Sequence, residues 1–97
     1  MEEITILLVD DEKLALVGLE TGVDWKGVGI TKVMKAYSKQ GAISVLQQAP
    51  VDILLTDIEM PDGTGTELIR WQKENHPNIV SAFYTCHADF SYAQEAV

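Results

Sequence analysis

Short apolar runs alternate along the chain with stretches whose apolar residues recur every three or four positions, and turn-forming residues separate the two kinds. Residues 4–9, Ile4-Thr5-Ile6-Leu7-Leu8-Val9, form an unbroken apolar, β-branched run. That is the pattern of a strand covered on both faces, hence central in a parallel sheet. From Glu12 to Val23 the period changes: Leu16, Leu19 and Val23 lie at i, i+3 and i+7, and Glu12 stands where an acidic group favours a helix N-terminus. Trp25-Lys26-Gly27-Val28-Gly29 ends that unit. Residues 30–37 combine β-branched side chains with Lys32 and Lys35, as an edge strand does. Ser38 predicts an N-cap for a second helix whose stripe is Ala42, Val45, Leu46 and Ala49, with Pro50 as its stop.

A second buried-strand run, residues 51–56, ends at Asp57, and Pro61-Asp62-Gly63-Thr64-Gly65 reads as a loop. A helix over 66–75 carries a diffuse stripe of Leu68, Ile69 and Trp71, and Pro77 closes it. Residues 79–85 predict a fourth strand; 89–97 put Phe90, Ala93 and Val97 on one helical face without a terminating signal. The alternation predicts an α/β fold with a parallel sheet. A crossover helix in such a sheet normally leads into another strand, so either this last helix is terminal or the chain is truncated.

Composition narrows the class. A chain of 97 residues and 10.7 kDa is one domain, too short for a two-domain enzyme. No apolar run approaches the ~18–20 residues that span a bilayer, and Met1-Glu2-Glu3 lacks the basic start of a secretory leader. The single cysteine, Cys86, excludes an internal disulfide and leads us to expect a reducing, cytoplasmic setting. Fifteen acidic against seven basic residues give −8, which argues against direct binding of nucleic acid or an anionic membrane by this segment; an electrostatic partner, if there is one, is expected to be cationic.

The candidate chemistry lies at strand ends. In an open parallel sheet, ligands bind beyond the carboxyl ends of the strands. The first strand runs into Asp10-Asp11, the third into Asp57 and the fourth into Thr85. With ~4.8 Å between adjacent strands, these side chains are within reach of one another. Clustered carboxylates repel, and protonation or a bound cation relieves them. An all-oxygen site that keeps several waters suits Mg²⁺, and a carboxylate beside it is a competent nucleophile toward a phosphoryl group.

The phrases Leu7-Leu8-Val9-Asp10-Asp11-Glu12, Leu54-Leu55-Thr56-Asp57-Ile58-Glu59-Met60-Pro61-Asp62-Gly63 and Tyr84-Thr85 resemble the response-regulator receiver domain of two-component signalling, over the whole chain, 1–97. The resemblance implies a flavodoxin-like, doubly wound parallel sheet of strand order 2-1-3-4, with the fifth strand and fifth helix missing. It implies Asp57 as phosphoacceptor, Asp11 as a direct metal ligand, Asp10 as a metal-water or further metal partner, and Glu59 as a backbone-carbonyl ligand to Mg²⁺. Thr85 matches the hydroxyl that contacts the phosphoryl group, and Pro61 and Gly63 shape the loop beside the acceptor. The partners implied are a sensor histidine kinase and a C-terminal DNA-binding output domain. Val23-Asp24-Trp25, Val28-Gly29-Ile30 and Asp89-Phe90-Ser91-Tyr92-Ala93 are similar to receivers joined to AraC-type output domains. The family's lysine ending strand five has no counterpart here. The exposed fourth strand is expected to favour a homo-oligomer or swapped dimer of the chain as given.

Other readings compete. Haloacid-dehalogenase-type phosphatases also use a strand-end aspartate with Mg²⁺, and Asp57-Ile58-Glu59 is a near match to their acid pair, although their nucleophile ends the first strand of a longer chain. A phosphorylation-incompetent interaction module is the third. Cys86-His87 reads as ordinary extended chain, although the resemblance implies that His87, two residues after Thr85, stands where a side chain can influence phosphoryl loss; Trp25 and Trp71 read as cover at core edges, His76 as an exposed loop residue, and Lys13 as solvated rather than turned toward the acids.

Overall fold

The computed structural model describes residues 3–84. In chain order the elements are β1 (Thr5–Val9), α1 (Lys13–Gly22), β2 (Lys32–Ala36), α2 (Lys39–Gln48), β3 (Ile53–Asp57), β4 (Glu59–Met60), β5 (Gly63–Thr64), α3 (Gly65–Asn75) and β6 (Val80–Tyr84). Four parallel strands form the main sheet in the order β2-β1-β3-β6, so the predicted order is found, with β6 as the fourth long strand. The expected last helix, residues 89–97, lies outside the described residues.

The two-residue period of β1 explains the layering. Leu7 and Val9 point to one face, where Leu54, Ala42, Leu46, Leu68 and Ile69 bury them beneath α2 and α3. Ile6 and Leu8 point to the other, against Leu16 of α1 and Ile30. An unbroken apolar run is required because both faces are covered. Edge strand β2 is half-buried at best along Lys32–Lys35; there Lys35 turns to the α1 face and pairs with Glu20 at 2.8 Å, which raises the lysine pKa.

Local chemistry sets the helix ends. Ser38 caps α2 as expected, its hydroxyl accepting from Gly41 N at 2.9 Å, and the helix stops two residues before Pro50. Glu12 precedes α1 but its side chain makes no capping bond; the carboxylate of Asp10 accepts the Glu12 N–H instead. At α3 Thr64 and Glu67 form a reciprocal capping box, and bonds from the Thr64 N–H and hydroxyl hold the Glu67 carboxyl below its usual value.

Two expectations are corrected. The predicted loop at 61–65 is part of a small hairpin in which Glu59 pairs with Thr64 and Met60 with Gly63. His76, the residue just after α3, is half-buried because the Trp71 ring of that helix lies beside it, 5.6 Å from its own ring.

The hairpin is fastened to α2. Asp62, at its turn, accepts from Lys39 N at 2.9 Å and Gln40 N at 3.0 Å, satisfying two donors that the helix leaves open. The bond from Gln40, then that from Lys39, holds the Asp62 carboxyl below its usual value. A depressed folded-state pKa stabilises in full above the unfolded value of about 3.9, and that contribution is lost as pH falls through the folded value. Asp62→Ala is expected to lower stability by about 1 kcal/mol at neutral pH. Urea titrations should show the gap between the variant and the parent narrowing below about pH 4.

Far from the hairpin, Gln72 is fully buried; its amide donates to the carbonyls of His76 and Ile79 and ties the end of α3 to the approach to β6. Its Oε1 has no partner among the described residues.

Candidate functional site

The carboxyl ends of β1 and β3 are adjacent because the two strands pair in register, Val9 opposite Thr56. Asp10 follows Val9 and Asp57 ends β3, so topology alone brings their side chains to one rim. One carboxylate oxygen from each of Asp10, Asp11 and Asp57 lies within 4.8 Å of the others. Asp10 and Asp57 are each only 2% exposed, whereas Asp11 faces solvent.

Each buried acid is held. Asp10 Oδ1 accepts from Glu12 N at 2.9 Å and its Oδ2 from the Tyr84 hydroxyl at 2.9 Å. Asp57 Oδ1 accepts from Ile58 N at 2.8 Å, which fixes the plane of its carboxyl group. Three carboxylates this close, two of them withdrawn from water, repel one another strongly, and a divalent cation with oxygen preference is the natural counter-charge. The donor set fits Mg²⁺, with room on the solvent side: a groove of about 260 Å³ is lined by Asp11, Glu12, Glu59, Met60 and Pro61.

Glu59 is thereby brought to the same groove as Asp11, in β4, with its side chain exposed. Lys13 is exposed, its ammonium 5.4 Å from the centroid of the Tyr37 ring. Thr85, Cys86 and His87 lie outside the described residues.

Gly65 sits directly behind the acceptor strand. Its N–H donates to Ile58 O at 2.7 Å, and a Cβ placed on it would collide with the Asp57 carbonyl oxygen. This glycine, like Tyr84, escaped the sequence reading as a site residue. Gly65 reads there as one more turn residue, and the partner of Tyr84 lies 74 positions away.

A family description, response regulator receiver domain, matches residues 6–97. The chain belongs to that family. The receiver is 30% identical over 92 residues to the transcriptional regulatory protein YesN of Bacillus subtilis, covering 95% of this chain and 25% of that protein. It is 28% identical over 97 residues to the DNA-binding transcriptional regulator NtrC of Proteus hauseri, covering 99% of this chain and 20% of the relative. The receiver thus spans a quarter or less of these two regulators. Among solved structures, a two component transcriptional regulator AraC from Clostridium phytofermentans superposes with a TM-score of 0.82 at 32% identity, over 98% of this chain and 74% of that one. The REC domain of AraT, a response regulator from Geobacillus stearothermophilus, gives 0.81 at 30% identity, over 98% and 74%. The receiver therefore has the fold of two-component response regulators, with AraC-type members among its relatives. Among the described residues no helix is long and apolar enough to cross a membrane.

Proposed function

We propose that this receiver accepts a phosphoryl group on Asp57 from the phosphohistidine of a sensor kinase and passes the change to a DNA-binding output domain, in the cytoplasm. The observation that carries the reading is the trio Asp10, Asp11 and Asp57 at the rim of β1 and β3, with Asp57 buried and oriented by the Ile58 N–H. A carboxylate oxygen of Asp57 forms the bond to phosphorus as the P–N bond to the donor imidazole breaks, and the electron pair of that bond leaves with the imidazole nitrogen. Asp10, Asp11, Asp57 and the Glu59 carbonyl are the groups that would hold Mg²⁺. When bound, it neutralises charge on the phosphoryl oxygens as they approach a negatively charged pocket. Thr85, next after Tyr84 in sequence, is assigned the hydroxyl contact to the phosphoryl group. The output domain of AraC type is supported by the relatives of that class. The chain's own −8 charge suits a segment that leaves DNA contact to another domain.

Beryllofluoride binding tests the reading, because this anion mimics a phosphoryl group on an aspartate. Calorimetry with the full chain should show saturable binding that requires Mg²⁺ and is abolished by Asp57→Ala. Absence of binding to the parent protein, or equal binding by the variant, rejects Asp57 as the acceptor.

A further inference from the structure

Tyr84 ends β6, opposite Asp57 in the β3–β6 register. Its hydroxyl reaches beyond β3 to the end of β1, 2.9 Å from Asp10 Oδ2 and 3.1 Å from the Val9 carbonyl oxygen. The same aspartate is gripped at its other oxygen by the Glu12 N–H. Two donors arriving on different oxygens stop the carboxyl group rotating about its terminal torsion. At 2% exposure, solvent cannot take over either bond.

We propose that Tyr84 is a positioning residue for the divalent-cation site: its hydroxyl locks the Asp10 carboxylate in the orientation that presents a lone pair toward Asp11 and Asp57. The inference rests on the reading of these acids as a Mg²⁺ site. Each carboxylate oxygen has two lone pairs, so an oxygen that accepts the hydroxyl still has one for a cation or its water. The donated bond also tempers the charge of Asp10 toward its two acidic neighbours, which lets the pocket stay assembled ahead of cation binding. Partners of this kind, which orient a ligand without touching the metal, typically change metal affinity by roughly 10–100-fold.

Titration of the full chain with MgCl₂ alone, followed by calorimetry, tests this without any phosphoryl donor. Tyr84→Phe keeps the ring and removes the hydroxyl, and it should weaken Mg²⁺ binding about tenfold. Tyr84→Leu should be no worse than Tyr84→Phe, since the ring itself is not the operative part. In an Asp10→Asn background, Tyr84→Phe should cause no further loss, because the hydroxyl acts through that carboxylate. Far-UV circular dichroism confirms that each variant is folded. Parent-like or tighter binding by Tyr84→Phe overturns the proposal, as does full additivity with Asp10→Asn. If the parent itself binds no Mg²⁺, the metal-site reading falls and this proposal with it. A parent that binds while Tyr84→Phe is unchanged removes only the role of the tyrosine.

Discussion

Replacing Gly65 by alanine is expected to destabilise the receiver by about 1–3 kcal/mol, the usual cost of overpacking that forces a backbone to shift. The reason is contact rather than conformation. The added Cβ runs into the carbonyl oxygen of Asp57 and crowds the Phe83 ring at 3.2 Å. A flexible side chain could give way at little cost, but a backbone carbonyl at the end of a central strand cannot move without the strand end. Either α3 withdraws and breaks the 2.7 Å bond from Gly65 N to Ile58 O, or the end of β3 shifts and carries the acceptor with it. Chemical denaturation should report the first cost, and Mg²⁺ titration of the remaining folded protein the second. Parent-like stability in Gly65→Ala would show that the approach of α3 to β3 is looser than the structure gives.

Asp57→Asn is expected to eliminate labelling by a small phosphoryl donor such as acetyl phosphate while making the metal-free protein more stable. An amide oxygen can still accept the Ile58 N–H at the position of Oδ1, so the local bond survives. What disappears is one of three like charges whose oxygens lie within 4.8 Å of one another. Relief of that repulsion is on the order of 1 kcal/mol. Mg²⁺ should invert the ranking: at a concentration of about 100 Kd it stabilises the parent by about 2.7 kcal/mol and the variant by much less. Thermal melts with and without MgCl₂ read both effects. A variant less stable than the parent in the absence of metal would mean that the acids are not in electrostatic conflict.

The main sheet was legible because periodicity is a direct imprint of burial. Leu7 and Leu8 are both apolar since each faces a different layer, and the same logic located β3 at Leu54 and Leu55. Lys32 and Lys35 marked β2 as an edge. The acidic rim was readable too, because a strand's last residue has a position fixed by its sheet.

Contacts made at a distance were not readable. Asp62 has the composition of any turn residue, and only the docking of a hairpin on α2 turns it into a helix cap. Strands of two residues, β4 and β5, are too short to carry a period. Gln72 did leave a trace: it stands four residues after Leu68, where the apolar stripe of α3 calls for another aliphatic side chain. A polar residue at such a position signals a buried hydrogen-bonding task, here the junction to β6. His76 was misplaced because its neighbour Pro77 suggested a solvated loop, whereas the ring of Trp71 offers it cover.

The lysines of β2 have a bearing on what the receiver can join. Lys32, exposed on the edge strand β2, discourages a further strand from annealing along that margin, whereas the charge of Lys35 is already paired with Glu20.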